Sequence, residues 1–228
     1  MTDNGIQALK PVDRETLKSK VYRALREAIQ KGSLKPDQHL VEEEISHQLG
    51  VSRVPVREAI AFLEQDGLVV RELGRGARVA NPSEKDIEDI YGLRIALELH
   101  ALVLNLQKIT EEDLQFLQGL VNKMSECVEK NDISGLVEID LSFHEALCKM
   151  TGNQRLLEAW KSQIVQLRML LALSGSAGYD VRNMIHGHQQ IIIALREGDI
   201  AAAQKILNDH VCRSRDRLLK QRNNVSHD

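Results

Sequence analysis

The run Gly50-Val51-Ser52-Arg53-Val54-Pro55-Val56-Arg57-Glu58-Ala59-Ile60 leaves few folds open to the chain that carries it. Val56, Ala59, Ile60 and Leu63 recur at helical spacing, so residues 52–65 form a helix with one complete apolar face. Ser52 suits the N-cap, and Pro55 falls in the first turn, where a missing N–H costs little. Gly67 ends the run. Upstream, Val41–Leu49 is a short helix carrying Ile45 and Leu49, closed by Gly50. Further upstream, Leu17, Val21, Ala24, Leu25, Ala28 and Ile29 mark a helix over 17–31 ended by Gly32, and Ser33–Gln38 reads as a turn. Downstream, Leu68-Val69-Val70 and Ala77-Arg78-Val79 are strand-like runs around Arg71-Glu72-Leu73-Gly74-Arg75-Gly76, a hairpin with an exposed tip. Three helices followed by this hairpin predict a winged helix-turn-helix over residues 11–80, with residues 1–10 a loose tail.

Arg53 and Arg57 stand four positions apart, so they are neighbours on the exposed face at the start of the helix. The free N–H groups of that first turn point the same way, and Ser52 sits beside them. This is what a recognition helix presents to the DNA major groove. Arg75 and Gly76, at the wing tip, would lie near the minor groove or the phosphates. Taken singly, the arginines have plainer uses: Arg57 as a solvent pair for Glu58 or Glu64, Arg53 as surface. Net charge is −3 for the whole chain. Residues 10–80 carry 13 Lys and Arg against 11 Asp and Glu, and residues 81–228 carry 17 against 21. An asymmetry this mild makes placement of basic groups matter more than their number.

Asn81-Pro82-Ser83 is a linker, and beyond it every pattern is helical: 83–107, 111–130, 133–151, 153–174, 181–197 and 199–221. Thr110-Glu111-Glu112-Asp113 is an N-cap followed by first-turn acids. Gly152-Asn153, Gly175-Ser176-Ala177-Gly178 and Gly198-Asp199 punctuate the rest. Residues 84–222 therefore form an all-α bundle of about six helices, and the fold class is mainly α. An aromatic content of 3% and four prolines argue against a large β fold. No apolar run reaches the ~18 residues of a membrane span, and the N-terminus lacks a signal-peptide core. Cys127, Cys148 and Cys212 form no CxxC pair. These features suit reduced thiols and a cytoplasmic location.

The bundle carries a second constellation. Asp140 and His144 lie at i, i+4 on an apolar helix, while His188 shares a face with Ile191, Ile192 and Leu195, and His210 with Ala203, Ile206 and Leu207. The turn between the last two helices falls near Asp199, midway between His188 and His210. Equal distances from the turn of an antiparallel pair put both histidines level, roughly 15 Å along the axis. One Asp and three His from three helices then suit a divalent ion, Zn²⁺ first, with Ni, Mn or Fe as alternatives. A metal-free reading keeps the histidines as polar core. A helical metal-dependent hydrolase is a third reading, but it lacks a placed general base: Glu145 neighbours His144 and faces another way. His186 also faces elsewhere, and Cys148, at i+4 from His144, reads as a small core residue.

Both halves resemble the GntR family of transcriptional regulators, in the FadR-type subgroup with an FCD effector domain. The resemblance rests on Leu49–Ala59, on the wing Arg75-Gly76 with Val79, and on Asp140-x3-His144, His188, Gly198-Asp199 and His210. It covers about residues 15–220. Six helices rather than seven make the second domain more similar to the VanR-like branch. The resemblance implies no enzyme but a homodimer on a palindromic operator, acting as a repressor. It also implies a small organic-acid effector that modulates operator binding, held by the metal or by a pocket the metal stabilises. By the same likeness Ser52, Arg53, Arg57, Arg75 and Gly76 contact DNA, and Arg94 faces the effector pocket. Arg94 also stands at i+4 from Glu98, where it makes a helix ion pair. One departure is Glu42-Glu43-Glu44, at a place where some members carry a DNA-contacting arginine. These acids would repel phosphate and are expected to favour the helix start instead.

Overall fold

The computed structural model describes residues 16–72, 74–106, 108–173 and 180–225. The expected tail at 1–10, the first residues of the winged domain and the break at Gly175–Gly178 lie outside the described residues. Among the described residues the order is α1 (Leu17–Gln30), β1 (His39–Leu40), α2 (Glu42–Leu49), α3 (Arg53–Gln65), β2 (Val69–Glu72) and β3 (Gly76–Val79). Then come α4 (Glu84–Asn105), α5 (Glu111–Glu129), α6 (Ile133–Met150), α7 (Gln154–Leu173), α8 (Val181–Glu197) and α9 (Ile200–Val225).

In the first unit, Val21, Leu25 and Ile29 of α1 pack against Val56, Ala59, Ile60 and Leu63 of α3 and against Leu68, Val69 and Val79 of the sheet. Gly50 closes α2 in the left-handed conformation (φ 64°), returning its N–H to Ser46 and His47 carbonyls. β2 and β3 pair antiparallel from Val69↔Val79 to Glu72↔Gly76. The tip needs Gly74 and Gly76, both at positive φ. β3 is the central strand, because β1 pairs with its other edge through His39↔Arg78 and Leu40↔Ala77. That third strand is not expected from the sequence: two residues carry no alternation, and only the β3 edge gives them partners.

In the second unit, Ile87, Ile90, Tyr91, Arg94, Glu98, Ala101, Leu102 and Asn105 form one buried stripe along α4, which packs against α6, α7 and α9. Ser83 caps α4 in a reciprocal box with Asp86, and Thr110 does the same for α5 with Asp113. Gly198 (φ 73°) turns the chain between α8 and α9. The architecture is mainly α, a winged helix-turn-helix followed by a six-helix bundle. The two cores meet on α7: Met169 is buried among the winged-domain residues and Val165 packs beside it. Arg222 Nη1 donates to Asn81 Oδ1 at 3.0 Å across the same junction.

Candidate functional site

Three helices converge on one carboxylate. α6 supplies Asp140 and His144 from adjacent turns, α8 supplies His188 and α9 supplies His210. All four are buried, and their ligand atoms lie within 4.8 Å of one another. Asp140 Oδ1 is 3.1 Å from His188 Nε2, 3.7 Å from His210 Nε2 and 3.8 Å from His144 Nε2. The level placement of His188 and His210 brings their ring centroids to 4.3 Å. Gly187 permits this approach of α8 to α9, since a Cβ there would stand 3.2 Å from His210 Nδ1.

The protons decide what the cluster can do. His188 Nδ1 faces the Met184 carbonyl at 2.9 Å, and His144 Nδ1 faces Glu98 Oε2 at 2.7 Å. Both partners only accept, so each Nδ1 carries the proton and donates it, leaving Nε2 bare in the neutral ring. Burial lowers the pKa of His144. Burial and the neighbouring His188 bring His210 down to about 3. Asp140 presents its carboxylate to these rings. Lone pairs of two rings therefore point at an anion. Asp140 Oδ1, His144 Nε2 and His188 Nε2 are buried with no hydrogen-bond partner. Such orphaned atoms are costly unless something positive lies between them. A divalent ion fits the donor set, because bonds of ~2.1 Å require only a small contraction of the group. The outer hydrogen bonds from His144 to a carboxylate and from His188 to a carbonyl are those that orient metal-ligating histidines.

Asp140 and His210 also line a cavity of about 250 Å³ with Arg94, Arg213, Ser214 and Arg217. Arg94 is 2% exposed, lines this cavity and makes the expected ion pair with Glu98 along α4. Its Nε donates to Glu98 Oε1 at 2.7 Å, while its buried Nη2 has no hydrogen-bond partner. Glu98 also accepts from Trp160 Nε1 at 2.9 Å, so one buried carboxylate ties α4 to α6 and α7. Burial raises its pKa, but Arg94, His144 and these hydrogen bonds win and hold it at about 2.

The other face of interest is on the winged unit. Arg53 and Arg57 are exposed side by side at the start of α3, and Arg75, at the wing tip, is 79% exposed. Ser52 occupies the N-cap, yet its hydroxyl makes no cap hydrogen bond. A cleft of about 660 Å³ runs between α2, the start of α3 and the wing, lined by Arg53, Arg71, Arg75 and Gly76. Glu42, Glu43 and Glu44 do stand in the first turn of α2, but Glu42 turns across to α3, where Arg57 donates to it.

Comparison with known proteins decides what this pairing of units is. Residues 17–79 match the bacterial regulatory proteins of the gntR family, and residues 89–213 match the FCD domain. The chain belongs to the GntR family. It is 31% identical to the probable D-xylose utilization operon transcriptional repressor of Paenarthrobacter nicotinovorans, over 89% of this chain and 88% of that one. A GntR transcriptional regulator structure from Rhodococcus sp. RHA1 superposes with a TM-score of 0.75 at 27% identity, covering 89% of this chain and 97% of that one. The Escherichia coli McbR structure shares the fold, with a TM-score of 0.76 at 24% identity over 91% and 99% of the two chains. All of these relatives are transcriptional regulators, and so is this GntR-family protein; none is an enzyme.

Within this regulator the remaining candidates fall outside the cluster. Cys148 is a buried core thiol whose pKa burial pushes up, His186 is exposed, and Glu145 pairs with Lys161 at 3.0 Å, away from His144. The residues that the sequence reading passed over are Glu98 as the partner of His144 and Trp160, and Glu42 as the partner of Arg57. Glu98 left one trace: it lies on the apolar stripe of α4, where a lone carboxylate needs partners from other helices. No helix of the described residues is long and apolar enough to cross a membrane.

Proposed function

We propose that this regulator is a repressor whose helical unit, residues 84–222, holds a divalent ion on Asp140, His144, His188 and His210 and binds a small carboxylate effector beside it. The observation that carries this reading is the shared cavity. Two of the four ligands line one space with Arg94, whose buried Nη2 has no hydrogen-bond partner. When bound, the ion would supply positive charge and an open coordination position, with Zn²⁺ the first choice for three imidazoles and a carboxylate. Arg94 would orient the effector by its free edge while Glu98 holds its Nε. The winged unit, residues 11–80 joined through 81–83, would read a palindromic operator as a homodimer. Effector binding would then change the relation of the two winged units, and with it the half-site spacing they fit.

A thermal-shift series of small organic acids with the metal-loaded protein tests the effector reading. An effector at 100 times its Kd stabilises by about 2.7 kcal/mol. For a protein of this size that raises Tm by roughly 5–10 °C. A flat response to every acid in the series, metal present, sinks the effector assignment.

Ser52, Arg53, Arg57, Arg75 and Gly76 form the proposed DNA contact. Arg57→Ala should weaken operator binding about 10- to 100-fold per recognition helix without altering the far-UV spectrum. Electrophoretic mobility or anisotropy titration checks it, and an operator affinity equal to wild type removes Arg57 from the interface.

A further inference from the structure

The two arginines at the start of α3 are not held alike. Arg57 donates from Nε to Glu42 Oε2 at 3.1 Å and Oε1 at 3.2 Å, and from Nη2 to Oε2 at 2.9 Å. Arg53 stands 4.0 Å from Glu42 Oε2 and 4.0 Å from Glu43 Oε2, beyond hydrogen-bond reach. Glu42 lies fifteen positions before Arg57 on the neighbouring helix, so this is not a neighbour pair along one helix. It fixes the guanidinium plane across the turn. The carboxylate takes the Nε–Nη2 edge and leaves the end-on edge, Nη1 and the outer hydrogen of Nη2. That edge matches the O6 and N7 acceptors of guanine in the major groove. Arg53 has no such brace and keeps its rotamer freedom, which suits a phosphate contact.

We infer that Glu42 is a positioning residue for base reading: it orients Arg57 end-on toward one guanine per half-site, while Arg53 serves the phosphate backbone. The inference rests on the DNA-reading role proposed for Arg57 and adds a specificity determinant on α2. Two physical effects work together. Ordering the long arginine side chain before DNA arrives lowers the entropy lost on forming the base contact. The carboxylate also offsets the general pull of Arg57 on phosphate, so binding to unrelated sequence gains little from it. Glu42 is held ionised, its carboxyl lowered by the hydrogen bonds from Arg57.

The test uses the full-length protein and a duplex pool randomised over 20 base pairs. Wild type selects a preferred duplex. Affinities are then measured for that duplex, its single-base variants and an unrelated duplex, with wild type, Glu42→Gln and Arg57→Ala at one salt concentration. Wild type should lose about 10-fold or more when one guanine per half-site is replaced. In Arg57→Ala that penalty should vanish. In Glu42→Gln it should shrink to about 3-fold or less, with penalties at other positions retained and binding to the unrelated duplex unchanged or tighter. Melting curves of the variants show whether the fold is intact, and Glu42→Ala should repeat the base profile of Glu42→Gln. The inference is overturned if Glu42→Gln keeps the wild-type profile, if it weakens every duplex in proportion, or if no guanine penalty depends on Arg57. A wild-type protein that selects no sequence overturns the DNA reading itself, which separates the two failures.

Discussion

Replacing Glu98 with alanine is expected to lower the melting temperature of the helical unit by about 10 °C. The carboxylate is fully buried and serves three donors from three helices: Arg94 Nε, His144 Nδ1 and Trp160 Nε1. Removing one partner of a buried ion pair typically costs 3–5 kcal/mol, because the other charge is left uncompensated. Here the abandoned charge is Arg94, 2% exposed. Two further N–H groups lose their acceptor, so the upper part of that range applies. Glu98→Gln keeps the bulk and one acceptor oxygen and should fall between wild type and alanine. Trp160 is the only tryptophan of the sequence and donates to Glu98 directly, so its fluorescence follows this unit alone. A Glu98→Ala transition within 2 °C of wild type by that signal would mean that Glu98 is not the tie between α4, α6 and α7.

Glu98 also marks where sequence reading ran out. The helices were legible because local signals fix them. Thr110 announces its cap, Gly50 and Gly198 their stops, and apolar residues at 3.6-residue spacing fill the gaps. The coming together of His188 and His210 was legible for the same reason, since a turn midway between two inward residues of a helical hairpin leaves little freedom. Glu98, by contrast, meets His144 across 46 positions and Trp160 across 62. No periodicity within α4 states which helices will lie beside it. The Arg57–Glu42 pair was hidden likewise, because α2 and α3 each explain their own charges: acids in a first turn, arginines on an exposed face. β1 carries no sequence signal, because its two residues become a strand only when β3 supplies partners. The sequence pattern of α7 is that of a plain bundle helix, yet Met169 sits in the winged-domain core. One helix serves two cores, and that follows from how the units dock.

Asp140→Asn carries the other large effect, and its sign should depend on the ion. In the metal-loaded protein the substitution removes an anionic ligand from the proposed set. At an ion concentration 1,000 times Kd the bound metal stabilises by about 4.1 kcal/mol, and losing it should lower Tm by roughly 8–16 °C. After exhaustive chelation the same substitution should cost nothing or raise Tm. There, a carboxylate faces the bare Nε2 of His188 at 3.1 Å, an acceptor against a lone pair. An asparagine amide of the same shape can donate to that nitrogen. Elemental analysis of untagged protein supplies the stoichiometry, and wild type should lose its metal-dependent stability on chelation. The comparison forms a cycle in which mutation and chelator act on one site and cannot add independently. If Asp140→Asn destabilises by the same amount with and without chelator, the four residues are a polar core, and Asp140 is held by its histidines alone. If only the metal-loaded form is destabilised, the lone pairs converging on Asp140 Oδ1 are there to hold an ion.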